Sequence, residues 1–125
     1  MVTQTAAGMV AEAKARIENL TPDQVEQELA NGALLVDIRE PEERAASGAI
    51  PDNTHAARGM LEFYADPTSP SHRPEFDPDR RIVLYCASGG RSALAVDMLT
   101  QMGYANVAHL DGGLKAWAGA GKSLA

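Results

Sequence analysis

Apolar residues first recur at helical spacing near the start of the chain. Met9, Ala13, Ile17 and Leu20 mark one side of an amphipathic helix, with Glu12, Lys14, Arg16 and Glu18 mainly on the other. Residues before about Val10 are expected to fray. Thr21-Pro22 restarts the chain as an N-cap and first helical residue, and Val25, Leu29 and Ala30 line that second helix until Gly32 ends it. Ala33-Leu34-Leu35-Val36 is a short continuous apolar run, as expected of a strand covered on both faces. Pro41 opens a charged helix that closes at Gly48. A weak strand around Thr54–Ala56 and a short helix from Arg58 to Tyr64 follow. Four prolines between Asp66 and Arg80 forbid a regular element there, and a loop spanning the surface is expected.

The second half is clearer. Arg81 to Tyr85 reads as a strand, Cys86 to Arg91 as a turn, and Ser92 to Met102 as a helix stopped by Gly103. Val107–Leu110 forms a further strand, Asp111-Gly112-Gly113 a turn, and Leu114–Ala118 a last helix packed through Leu114 and Trp117. The tail from Gly119 reads as loose. Strands alternating with helices predict an α/β fold with a mainly parallel central sheet between two helical layers.

At 125 residues the chain suits one domain, and its 45% hydrophobic and 22% charged content is that of a globular protein. A net charge of -6 argues against nucleic acid or an anionic membrane as partner. No apolar run is long enough for a membrane span, and the amino terminus does not read as a secretion signal. One cysteine makes no internal disulfide and suggests neither a metal site nor a cofactor; a reducing cytoplasm is the expected setting.

That cysteine is the candidate nucleophile. Cys86 follows a buried strand at the edge where open α/β sheets bind ligands. The chain then turns into a helix, whose free amides and positive dipole end favour a thiolate. Gly89 and Gly90 let the backbone curl so that successive amides form an anion-holding nest. Arg91 adds a fixed charge whose fork suits a sulfonate, sulfate or carboxylate on a donor. A cysteine buried only for packing would not call for two glycines and an arginine between strand and helix. No histidine base is required, and His55 and His109 read as structural groups.

The segment IVLYCASGGRS resembles the active-site loop of the rhodanese-like sulfurtransferases. Val36 to Glu43 with Gly48-Ala49-Ile50-Pro51, and Leu110 to Trp117 (LDGGLKAW), are similar to two further segments of that family, in the same order. The resemblance implies a rhodanese-like three-layer domain over residues 20–119, after an N-terminal helical extension (1–19) and before a tail (120–125). It also implies that Cys86 carries sulfur as a persulfide cradled by the amides of Ala87, Ser88, Gly89, Gly90 and Arg91. A small donor such as thiosulfate and an acceptor such as cyanide or a thiol are then the expected partners, with a sulfur-accepting protein as another. Asp37 and Arg39, at the end of the first long strand, and Arg58 are candidate supports for the loop, although a structural role in ion pairing is favoured for the first two. Arg58, His72 and Arg73 are otherwise solvated charge.

Two alternatives remain open. A persulfide carrier or redox sensor would use Cys86 without turnover. A cysteine-dependent phosphatase or arsenate reductase would also need a thiolate in an anion-binding loop. Those enzymes carry five residues between cysteine and arginine, whereas four separate Cys86 from Arg91. A tighter ring of amides suits sulfur better than tetrahedral phosphate.

Overall fold

The computed structural model describes all 125 residues. Five strands, β1 (Glu18–Leu20), β2 (Leu34–Asp37), β3 (Thr54–His55), β4 (Ile82–Tyr85) and β5 (Val107–Leu110), form one sheet in the order β1-β5-β4-β2-β3. Every pairing is parallel. The helices are α1 (Ala6–Arg16), α2 (Pro22–Ala30), α3 (Pro41–Ser47), α4 (Leu61–Ala65), α5 (Gly90–Gln101) and α6 (Gly113–Gly119), with one 3-10 turn at Arg58–Met60. No helix is long and apolar enough to cross a membrane.

Strand alternation sorts the core into two layers. Leu34, Val36 and Ile38, with Ile82, Leu84 and Cys86, point to the side covered by α4 and α5. Leu35, Val83 and Tyr85 point to the opposite side, under Val25 of α2 and Leu114 and Trp117 of α6. Both faces are covered, which is why β2, β4 and β5 are buried at every position. Each buried Leu, Ile or Val contributes about 1.5–3 kcal/mol of apolar transfer, so the two layers carry the fold. The fold is the expected three-layer α/β architecture.

Three local expectations change. The first helix stops at Arg16, and Glu18–Leu20 leaves helical spacing to pair with Ala108–Leu110 as an edge strand. Backbone hydrogen bonding to β5 outweighs the weak helical pattern there, and the Asn19 side chain donates to the carbonyls of Lys14 and Ile17 at the bend. Helix α1 is ordered from its Thr5 cap, which accepts from the Gly8 amide, and it packs on α5. Helix α1 and the first two residues of β1 thus pack with the sheet and its helical layer. The tail is docked too. Ala125 and Ala49 exchange backbone hydrogen bonds, Trp117 Nε1 donates to the Ser123 carbonyl at 2.9 Å, and Lys122 pairs with Asp23 and Glu26.

The Pro-rich stretch is an irregular loop, as expected, and two of its side chains pin it. Phe76 is buried in the core, and Arg73 lies over the Tyr64 ring while donating to the His55 carbonyl at 2.8 Å.

Two glycine turns meet backbone to backbone beside Cys86. Leu114 N–H donates to the Cys86 carbonyl at 2.9 Å and Lys115 N–H to the Ala87 carbonyl at 3.1 Å. This approach needs Gly113: its φ is +62°, and a Cβ there would stand 2.5 Å from the Cys86 oxygen and 2.6 Å from the Ala87 carbonyl carbon. We expect Gly113→Ala to lower unfolding free energy by roughly 2–5 kcal/mol through strain and overpacking. Gly119→Ala, where a Cβ meets nothing within 4 Å, should be neutral or slightly stabilising. Urea midpoints of the two variants decide it; equal midpoints would show that the turn does not need its glycine.

Candidate active site

Cys86 lies at the carboxyl end of β4, with its side chain only 1% exposed. The chain turns through Gly89, in the left-handed region at φ +99°, and enters α5 at Gly90. This geometry aims two amides at the sulfur: Gly89 N–H donates at 3.2 Å and Ser92 N–H at 3.4 Å. Gly90 and Arg91 open the helix, so their amides have no intrahelical acceptor. Ser92 Oγ stands 3.5 Å from the sulfur and 2.7 Å from His109 Nδ1, whose other nitrogen is 2.7 Å from Asn19 Oδ1. Burial pushes the His109 imidazolium down to about 4, so the ring is neutral at physiological pH.

Arg91 does not reach freely toward a ligand. Its Nη1 and Nη2 each donate at 2.8 Å to the two carboxylate oxygens of Glu43 in α3. Those hydrogen bonds hold the Glu43 carboxyl at about 2, so the clasp stays closed throughout the range in which proteins ordinarily work. The expected free cation at the rim is thus a charge already balanced by its partner.

Asp37 and Arg39 serve each other. Asp37 is fully buried and accepts from Arg39 N–H at 3.0 Å, Arg39 Nε at 3.1 Å, Arg39 Nη2 at 2.9 Å, Arg44 Nη1 at 2.8 Å and the Tyr85 hydroxyl at 2.9 Å. Burial alone would raise its carboxyl, but the donors outweigh it and hold the group below the usual carboxylate range. Arg39 Nη2 also donates to the Gly48 carbonyl at 2.6 Å, and the Tyr85 hydroxyl accepts from Ile50 N–H at 3.1 Å. This network ties β2, α3 and the Gly48–Ile50 segment to β4 one residue before Cys86. Asp37 and Arg39 touch neither the sulfur nor its amides. Arg58 pairs with Glu62 at 2.9 Å, one helical turn on, and has no bond to the loop.

Beside the loop, α3, α6 and the end of the chain border an open cavity of about 570 Å³, walled in part by Ala46, Ala87, Leu114, Ala118 and Leu124. Glu42 and Lys115 also line it. No group of three or more His, Cys, Asp or Glu side chains gathers as a metal-binding set.

Of the amides of Ala87, Ser88, Gly89, Gly90 and Arg91, that of Gly89 alone donates to the sulfur here. The second donor is Ser92, with His109 and Asn19 behind it, while Asp37, Arg39 and Arg58 make no contact with the sulfur. Ser92 is contiguous with the loop, one residue past Arg91, and its place in the first turn of α5 signals that it can face Cys86. His109 and Asn19 reach the site only because β5 lies between β4 and β1.

Comparison with known proteins supports one family. Residues 21–120 match the model of the Rhodanese-like domain. A sulfurtransferase of Allochromatium vinosum is 38% identical over 104 residues, covering 82% of this chain and 89% of that protein. Thiosulfate sulfurtransferase GlpE of Pseudomonas aeruginosa is 33% identical over 101 residues, covering 80% and 83%. Among solved structures, a protein of unknown function from Rhodopseudomonas palustris, described as a possible tyrosine phosphatase, superimposes with a TM-score of 0.94 at 41% identity. That match covers 100% of this chain and 97% of the other. With its parallel five-stranded sheet and this degree of similarity to sulfurtransferases over most of its length, the chain belongs to the rhodanese-like family as a rhodanese-type enzyme.

Proposed function

We propose that Cys86 takes a sulfane sulfur from a small donor, thiosulfate first among candidates, holds it as a persulfide, and passes it to a thiophilic acceptor. The observation that carries this reading is the placement of Cys86 Sγ under the Gly89 and Ser92 amides at the end of β4. In the first half-reaction the thiolate attacks the outer sulfur of thiosulfate. The bond to the inner sulfur breaks, and sulfite leaves with its electron pair. In the second, cyanide or a thiolate attacks the outer persulfide sulfur and the Cys86 thiolate leaves. Charge stays on sulfur throughout, so amide donors suit every stage, and the chemistry asks for no metal or cofactor.

With Arg91 held by Glu43, thiosulfate meets amide dipoles and a balanced ion pair rather than a free cation, so its binding rests chiefly on the loop amides. The apolar wall of the adjoining cavity would receive the body of a thiol acceptor, or of a protein segment that presents one. A working thiol of this kind fits a reducing compartment, and we propose the cytoplasm.

The description of one similar structure as a possible tyrosine phosphatase favours a second reading, transfer of phosphate through the same cysteine. The short Cys86-to-Arg91 spacing and the clasped guanidinium oppose it. A phosphorylated aryl alcohol should be hydrolysed negligibly beside the sulfur-transfer rate. Hydrolysis of it by the wild type at a comparable rate, lost in Cys86→Ser, would replace the sulfurtransferase reading.

Intact-mass measurement after brief exposure to thiosulfate should show one added sulfur that dithiothreitol removes. Cys86→Ser should show none while keeping its fold. A stable protein that gains sulfur but never yields thiocyanate from cyanide would instead be a carrier. Arg91→Ala, which leaves Glu43 facing the loop uncompensated, should lower kcat/KM for thiosulfate about ten- to hundredfold. Glu43→Gln, which frees Arg91, should raise it. Steady-state rates with both variants check this, and a gain with Arg91→Ala or a loss with Glu43→Gln would remove Arg91 from donor binding.

A further inference from the structure

Deprotonation of a buried thiol needs an acceptor, and the groups touching Cys86 Sγ are few. Two are amide N–H groups, which only donate. The third is Ser92 Oγ, at 3.5 Å, the one acceptor in reach. Behind it stand His109 Nδ1 at 2.7 Å and, past the ring, Asn19 Oδ1 at 2.7 Å from Nε2. Ser92 and His109 are both fully buried, while Asn19 lies at the exposed edge of the sheet.

The polarity of this chain is set at its far end. Asn19 Nδ2 donates to the carbonyls of Lys14 at 2.9 Å and Ile17 at 3.3 Å. Its Oδ1 therefore faces His109 as an acceptor, and Nε2 must carry the ring hydrogen. Nδ1 is then a bare lone pair, the Ser92 hydroxyl donates to it, and the remaining lone pairs of Ser92 Oγ face the sulfur. Two charged groups act on His109: Asp111, two residues on, and Lys14 from α1, paired with each other at 2.9 Å. On the sulfur side the charges are Arg91 and Glu43, also paired.

We propose that Ser92 and His109 form a relay that removes the thiol proton of Cys86. The S–H bond breaks with its electron pair left on sulfur. The proton passes to Ser92 Oγ as the Ser92 hydroxyl proton passes to His109 Nδ1. The products are a thiolate facing a hydroxyl donor and an imidazolium that donates to Ser92 Oγ. While the sulfur attacks, His109 holds the transferred proton at Nδ1 and keeps Nε2–H on Asn19 Oδ1; once the thiolate charge is gone the ring releases that proton to solvent. So weakly basic a ring does not keep the proton at rest; attraction between thiolate and imidazolium across Ser92 favours the charged pair while it lasts. The relay rests on the reading of Cys86 as the attacking sulfur.

Alkylation of Cys86 by iodoacetamide tests the relay without any sulfur donor, so its failure is separable from failure of the transferase reading. Ser92→Ala deletes one oxygen while keeping the backbone donor to the sulfur. His109→Asn keeps an acceptor near the Nδ1 position but no ring that can take a proton. Each should slow alkylation at pH 7 about tenfold or more and move the midpoint of its pH profile upward, with the double variant no slower than the slower single one. Far-ultraviolet circular dichroism and urea midpoints confirm folding, and if His109→Asn does not fold, Ser92→Ala decides alone. A profile of either folded variant that superimposes on the wild type overturns the relay. So does a midpoint that moves downward, which would mean that the chain retains the thiol proton.

Discussion

The amides of Leu114 and Lys115, at the start of α6, grip the carbonyls of Cys86 and Ala87, and the character of the site follows from that contact. Held on α6, the carbonyls of Cys86 and Ala87 are kept off the sulfur, and the chain beyond them is fixed where the Gly89 and Ser92 amides meet it. Gly113 makes the approach sterically possible, and Gly89 meets the same turn from the other side, where a Cβ would come within 3.0 Å of the Gly112 nitrogen. Two short glycine turns, 23 residues apart in the chain from Gly89 to Gly112, behave as one piece of backbone.

The Asp37 network does the same service from β2. Five donor contacts on a fully buried carboxylate are strong only because none is spared to water. Removing one donor would leave a buried charge short of a partner, a cost of several kcal/mol. The network also fixes Tyr85, and hence the β4 backbone that enters the loop. Asp37 and Arg39 accordingly shape the strand end that presents Cys86 without contacting the sulfur. Arg91 and Glu43 show the same economy at the surface: one ion pair joins α5 to α3 and at once sets how much positive charge the loop offers.

The α/β class, the parallel sheet and the loop after β4 were legible in the chain because each is written locally. Apolar runs bounded by turn residues mark β2, β4 and β5, and CASGGRS joins a strand to a helix within seven residues. The edge strand β1 was not legible. Glu18-Asn19-Leu20 has no strand pattern of its own and becomes a strand through the backbone groups that β5 offers. The docking of the tail was not legible for a related reason: Trp117, Asp23, Glu26 and Ala49 hold it, and nothing within residues 120–125 announces them.

The sequence by itself determined the alternation of strands and helices, the place of Cys86 after a buried strand, and the glycines that let the loop close around it. These are properties of short stretches, governed by side-chain period and backbone freedom. Only the tertiary structure decided what the charges and polar groups near that loop are worth. Arg91 is a free cation in the sequence and half of a clasp in the fold, because Glu43 lies 48 residues away along the chain and 2.8 Å away in space. His109 is an unremarkable strand residue until the order β1-β5-β4 places it between Ser92 and Asn19. Hydrogen bonds and ion pairs act over about 3 Å, and strand order, which no local pattern encodes, sets which groups come that close.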